Sequence, residues 1–204
     1  MYDVNYRKEG DGYMFEKKIA KEDVMKLPLK RFGGRIVLID NKKDLNRYIQ
    51  VIRDEAVWGF DTETRPSFKK GRINKPALIQ FANAAYAFLV RINHMGIPEP
   101  LMEALNDPQI LKIGVALHDD LKDLSLVGKI DPKGFIDLQS LVGEYGIESK
   151  GLEKLSAIIL KFRISKSQQT SNWENQVLTQ AQLNYAATDA WVCYEIYQEL
   201  MKEG

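Results

Sequence analysis

Asp61 and Glu63 stand one residue apart at the end of the apolar run Ala56-Val57-Trp58-Gly59-Phe60, so a β-strand here aims both carboxylates at one face. Two ionised carboxylates at the edge of a core repel each other, and leaving them unpaired costs several kcal/mol. A divalent cation removes that cost. Further along, Tyr185 and Asp189 are four residues apart in a helical segment, which projects the phenol and the carboxylate from the same side about one turn apart. Ala186, Ala187 and Ala190 let that helix approach a sheet closely, so Asp189 can join Asp61 and Glu63 at one metal. Each pair is a weak signal alone; their combination is the argument. A fourth acid comes from His118-Asp119-Asp120-Leu121-Lys122-Asp123-Leu124, where a strand gives way to a helix. Hard oxygen donors with open positions suit Mg²⁺ or Mn²⁺.

Periodicity supplies the elements that must hold these residues. Gly33-Gly34 separates a stretch of mixed charge from the β-branched run Arg35-Ile36-Val37-Leu38-Ile39-Asp40. Residues 1–34 are read as an extension packed on the domain, and 35–204 as the domain itself. Asp40 or Asn41 caps a helix over 42–52, with Leu45, Tyr48, Ile49 and Ile52 on one face. The strand with Asp61 and Glu63 follows, then 77–82 and 86–90 as an antiparallel hairpin turning near Asn83-Ala84. A helix around 101–105, a strand over 110–115, a helix over 119–127 and a strand at 135–137 extend a mixed sheet. Helices are expected at 138–145 and 151–160, whereas 161–174 is polar, basic and without period. Thr179 and Gln182 match a capping box for a last helix reaching about residue 202. Its inward stripe is Leu183, Ala186, Ala187, Ala190, Tyr194 and Tyr197.

With 204 residues, 45% hydrophobic and 28% charged, the chain is within reach of one well-buried domain. No apolar run approaches the roughly 20 residues of a membrane span, and the N-terminus lacks the apolar stretch of a signal peptide. A cytoplasmic protein without a membrane partner is the expectation. Cys193 is the single cysteine, which excludes an intrachain disulfide and a Cys-cluster zinc site. His94 and His118 are the only histidines, too few for a histidine-rich zinc site. A formal net charge of +1 gives no global basic field. Basic residues are instead local: Arg65, Lys69, Lys70, Arg72 and Lys75 form one acid-free stretch, and Lys161, Arg163 and Lys166 another. Both are read as candidate phosphate paths. Trp173 is read either as packing against a loop or a base or, equally, as an ordinary core residue, and Asp137 as the cap of the helix after it in preference to an extra metal ligand.

The order Phe60-Asp61-Thr62-Glu63, then Asp120 with Leu124 one turn on, then Tyr185-Ala186-Ala187-Thr188-Asp189 resembles the three motifs of the DEDD exonucleases in their tyrosine branch, DEDDy. The similarity runs through most of 35–201. Ala77-Leu78-Ile79-Gln80, Ser171-Asn172-Trp173 and Leu178-Thr179 resemble the Werner-type exonuclease domains in particular. The resemblance implies an α/β fold of the RNase H-like type, a mixed sheet flanked by helices. It also implies metal-dependent 3′-5′ removal of nucleoside 5′-monophosphates from DNA. The spacing to Leu124 selects Asp120 over Asp119, which is left to cap its helix.

On this pattern Asp61, Glu63 and Asp189 hold the metal that carries the nucleophile. Asp61 bridges to a second ion, Asp120 supports that ion directly or through water, and Tyr185 orients the attacking water. Two divalent cations, Mg²⁺ or Mn²⁺, are the expected cofactors. DNA or RNA 3′ ends are the expected partners, with a separately encoded helicase as a further candidate. RNA trimming of the ribonuclease D kind is the main alternative. The chain stops soon after the third motif, without room for ribonuclease D's helical C-terminal domains, which favours the Werner-type expectation. A catalytically inactive nucleic-acid-binding module predicts a replaced acid, and none is replaced. A glycosidase reading of the carboxylates explains neither Asp120 nor the tyrosine and predicts activity without metal.

Overall fold

The computed structural model of the protein describes residues 15–67 and 74–202. In chain order these form α1 (Lys21–Lys26), β1 (Arg35–Ile39), α2 (Lys42–Asp54), β2 (Val57–Thr64), β3 (Pro76–Ala82), β4 (Tyr86–Val90), α3 (Ile92–Met95) and α4 (Glu99–Asn106). They continue with β5 (Leu111–Gly114), α5 (Leu117–Leu124), β6 (Phe135–Asp137), α6 (Leu138–Glu144), α7 (Leu152–Leu155), a π-helical turn (Ser156–Leu160) and α8 (Gln180–Lys202). The strands make one mixed sheet in the order β1-β4-β3-β2-β5-β6. β2, β3 and β4 pair antiparallel, while β1 joins β4, and β5 and β6 follow β2, in parallel. This is the RNase H-like arrangement of a mixed sheet between helices.

All seven residues of β3 are buried, as a central strand covered on both faces requires. On one face Trp58, Phe60, Ile79, Phe81 and Phe88 pack with Leu45 and Ile52 of α2, Leu101 and Leu105 of α4, and Leu117 and Leu124 of α5. Alternation sends Gly59, Asp61 and Glu63 to the other face. There α8 lies across the sheet, with Ala186, Ala187 and Ala190 against Leu78, Ala82 and Leu89. Its second half packs with α6, α7 and the π turn through Val192, Cys193, Ile196 and Leu200. Cys193 is thus a buried core residue.

Two local devices fix the helices that matter. The Thr179–Gln182 capping box forms in full: the Gln182 N–H donates to Thr179 Oγ1 at 3.3 Å, and the Thr179 N–H donates to Gln182 Oε1 at 3.0 Å. At α2 the cap is Asn41, whose side-chain oxygen accepts from the Asp44 N–H at 2.9 Å.

The structure corrects the reading of the fourth acid's helix. α5 begins at Leu117, two residues earlier than expected, because Ala116 adopts a left-handed conformation (φ 59°) and turns the chain sharply after β5. Asp119 therefore lies inside the helix and does not cap it. Asp137 serves that end instead, accepting from the Ala116 and Leu117 N–H groups, both at 3.1 Å, and from the Gln139 N–H at 2.8 Å to cap α6. The helix expected over 151–160 is the short α7 followed by the π turn, ended by left-handed Lys161 (φ 57°).

The N-terminal stretch is tied down between 17 and 34. The Lys30 N–H donates to the Arg163 carbonyl at 2.9 Å and the Arg163 N–H to the Pro28 carbonyl at 3.0 Å. Phe32 is buried, and its N–H donates to Thr188 Oγ1 of α8 at 3.0 Å. Among the described residues, no helix is long and apolar enough to cross a membrane.

Candidate active site

Asp61, Glu63 and Asp189 each offer a carboxylate oxygen within 4.8 Å of the other two. The first two reach this point from adjacent same-face positions of β2. The third arrives because α8 touches the strand backbone: a Cβ added to Gly59 would sit 1.8 Å from the Ala190 carbonyl oxygen. Only glycine allows that approach, and Asp189 precedes Ala190.

Asp120 comes from the opposite face. The paired register of β2 and β5 ends at Gly59 and Ile113, while β2 continues beside β3 to Thr64. The first turns of α5 fill the notch beyond β5, and the Thr62 hydroxyl donates to Asp120 Oδ1. Asp61 lies between the two groups, its Oδ1 accepting from the Thr62 N–H at 2.9 Å.

Burial raises the pKa of all four carboxyl groups, and for Asp61 and Glu63 the neighbouring acids add to it. Burial, then the charges of Asp120 and Asp189, push Asp61 far above the carboxylate range. Burial and Asp61 push Glu63 up to about 10. Burial raises Asp189 to about 7, opposed by the Tyr185 hydroxyl and by Lys166. Burial also raises Asp120 to about 6, opposed by the Thr62 hydroxyl. Unscreened acids in a shared low-dielectric pocket cannot all stay ionised. A bound cation inverts that logic. Asp189 Oδ1 is buried without a hydrogen-bond partner among the described residues, an orphan that a metal bond would satisfy. The donor set is oxygen alone, which fits Mg²⁺ or Mn²⁺ rather than zinc.

Comparison with known proteins matches residues 36–204 to the family model described as 3′-5′ exonuclease. The chain belongs to the 3′-5′ exonuclease family. It is 32% identical over 189 residues to a 3′-5′ exonuclease of Arabidopsis thaliana, covering 85% of this chain and 66% of that protein. It is 32% identical over 201 residues to the Mus musculus bifunctional 3′-5′ exonuclease/ATP-dependent helicase WRN, covering 93% of this chain and 14% of that one. The chain therefore spans less than two thirds of these relatives' length. The solved structure of Escherichia coli RNase D, described as an exoribonuclease involved in structured RNA processing, superposes with a TM-score of 0.74 at 26% identity. That match covers 83% of this chain and 45% of that one. These similarities agree with the DEDD resemblance carried by the three motifs.

Within this exonuclease-family chain, Tyr185 sits one turn before Asp189, its hydroxyl favouring the ionised carboxylate. Burial, Asp189 and Glu63 raise the phenol's own pKa, which favours the protonated hydroxyl. Of the two readings of Trp173, burial selects the core residue over the base platform: its side chain is fully buried and cannot stack a base. It lies 6.0 Å from the Tyr185 ring, centroid to centroid, and supports that tyrosine. Buried Arg91 anchors the Trp173 loop by donating to the Gln176 carbonyl at 2.7 Å and to the Asn175 carbonyl.

Of the basic residues, Arg65 pairs with Glu174 at 3.0 Å and Lys166 with Glu153 at 2.7 Å. Lys75 is exposed. Lys69, Lys70 and Arg72 lie outside the described residues. Sequence reasoning missed Gly59, Thr62 and Gln80. Thr62 and Gln80 stood inside quoted motifs, and Gly59 inside the apolar run. Gln80, opposite Asp61 in the β2–β3 register, is buried with neither amide atom hydrogen-bonded among the described residues.

Proposed function

We propose that the protein is a divalent-cation-dependent 3′-5′ exonuclease that hydrolyses the terminal phosphodiester of a nucleic-acid strand and releases nucleoside 5′-monophosphates. The observation that carries this is the meeting of Asp61, Glu63 and Asp189 oxygens within 4.8 Å, with Asp120 held alongside through Thr62. In this reading Asp61, Glu63 and Asp189 would hold one cation, and Asp61 with Asp120 a second. When bound, the two ions supply the Lewis acidity that acidifies water and stabilises the leaving 3′ oxygen.

The chain's own groups do the rest. Tyr185 orients the attacking water through its hydroxyl, and burial of the acids excludes bulk water from the reacting phosphate. Thr62 holds Asp120 in place by its hydrogen bond. The catalytic unit is residues 35–204, with 1–34 as an N-terminal extension of which 15–34 dock on it and 1–14 lie outside the described residues.

DNA 3′ ends are the substrate suggested by the Werner-type motifs. RNA ends are the second reading, favoured by the likeness to RNase D. The bifunctional exonuclease/helicase relative supports a helicase on a separate chain as partner. Matched DNA and RNA oligonucleotides, labelled at either end and incubated with Mn²⁺ or EDTA, test the proposal. Stepwise loss from the 3′ end in Mn²⁺ alone is the expected result, and the faster substrate identifies the sugar. Internal cutting, or cleavage that survives EDTA, would overturn it.

A further inference from the structure

We propose that a groove between residues 29–34 and the first turns of α8 holds the phosphodiester backbone of the strand leading into the acid cluster. The inference rests on the exonuclease reading for where that strand ends. One cavity, of about 440 Å³, is lined by Lys30, Arg31, Ser165, Ser167, Asn184 and Tyr185 among others. A second, of about 490 Å³, shares Arg31 and Asn184 and continues past Gly33 and Gly34 to Gln180. The two adjoin along α8 at Arg31 and Asn184. Gln180 and Asp189 are nine residues apart, or about 14 Å along the helix axis.

The lining has the chemistry of a phosphate track. Among the described residues, neither cavity has an acidic side chain in its wall. Lys30 and Arg31 are exposed, and neither is in an ion pair among the described residues. The basic residues Arg65 and Lys166 are, by contrast, already paired with glutamates. Serine hydroxyls and the Asn184 amide add neutral donors, and the path runs toward the positive end of the α8 dipole.

The Lys30 cation and the backbone on either side of Arg31 are also held in place. The Lys30 backbone is pinned to Arg163, its ammonium lies 5.0 Å from the centre of the Phe162 ring, and the next residue but one, Phe32, is bonded to Thr188. Preorganised donors lose less entropy on binding than mobile ones. Tyr185 links groove to cluster, because it lines the first cavity and faces Asp189. The N-terminal stretch thereby acquires a role: it supplies the wall that carries charge.

The test compares wild type with Lys30→Gln/Arg31→Gln. Fluorescence anisotropy in EDTA reads the affinity for a short fluorescein-labelled DNA strand, and for the matched RNA, across salt concentrations. The variant is expected to bind at least ten-fold more weakly. Its log–log salt slope should be shallower by about 1.4, since each lost single-strand phosphate contact removes about 0.7. In Mn²⁺ it should still cleave the p-nitrophenyl ester of thymidine 5′-monophosphate at the wild-type rate, because one nucleotide is too short to occupy the groove.

Unchanged affinity and slope would overturn the groove even if wild type is an active nuclease. Equal loss on the small ester would also overturn it, by placing the effect in the acid cluster. A wild type that binds through Lys30 and Arg31 yet hydrolyses neither substrate would support the groove and sink the exonuclease reading.

Discussion

Gly59 of β2 and Ala190 of α8 are in backbone contact: a Cβ on Gly59 would fall 1.8 Å from the Ala190 carbonyl oxygen and 2.7 Å from the Tyr194 nitrogen. Neither atom belongs to a side chain that can swing away. The distance between strand and helix sets how near Asp189 comes to Asp61, so this contact governs the site's geometry without touching a ligand.

Gly59→Ala should therefore cost about 3 kcal/mol of stability through overpacking and lose most metal-supported activity. Gly33→Ala, whose added Cβ meets nothing within 4 Å, should stay within about 0.5 kcal/mol of wild type. Urea unfolding measures both. A wild-type midpoint for Gly59→Ala would show that α8 is free to retreat.

The raised pKa values fix the sign of the pH dependence. A carboxyl whose folded pKa lies above its unfolded value binds protons more tightly in the native state, so its stabilising contribution is complete at low pH and is lost as pH rises. For Glu63 that loss extends from its ordinary 4.5 toward about 10, and for Asp189 from its ordinary 3.8 to about 7. Metal-free protein should melt at lower temperature at pH 8 than at pH 5, and Mn²⁺ should restore the stability lost at pH 8. Asp189→Asn in EDTA should be the more stable protein at pH 8, with the gap closing toward pH 5. A constant gap across that range would deny the acids any shared strain.

Much of this was readable one segment at a time. The Asp61-x-Glu63 alternation, the Thr179–Gln182 cap and the alanine stripe of α8 are local patterns, and a mixed sheet followed from the periodicity, while its RNase H-like type was what the resemblance of the three motifs implied. What was not readable depends on neighbours distant in sequence. The end of the β2–β5 register exposes Thr62 to Asp120, the left-handed turn at Ala116 displaces Asp119 from its expected cap, and Asp137 bridges two helices. Trp173 had the composition of a base platform, but Arg91, 82 residues earlier, holds its loop against the sheet.

Tyr185→Phe keeps the ring beside Trp173 and deletes only the hydroxyl. Turnover should fall by about ten- to a hundred-fold with little change in KM, the pattern of a group acting in the transition state. Because the phenol's pKa is raised, the variant's pH–rate profile should keep the wild-type shape. Disappearance of an alkaline limb from the variant's profile would instead mark the phenolate as a base.

Thr62→Val removes the hydroxyl that opposes the rise in the Asp120 pKa. It should weaken Mn²⁺ activation by about ten-fold, as loss of an orienting partner does, and raising metal concentration should recover most of the rate. Thr62→Ser, which keeps the hydroxyl, should remain close to wild type. If serine fails as badly as valine, the methyl group and not the hydrogen bond is what matters.

The most direct measurement is a Mn²⁺ titration by calorimetry, with the free ion checked by electron paramagnetic resonance, on wild type and Asp61→Asn. Asp61 is the carboxylate common to both proposed ion positions. Wild type should take up a pair of ions and the variant should lose both, with its fold preserved. An Asp61→Asn protein that titrates like wild type would contradict the claim that these acids hold the catalytic metals.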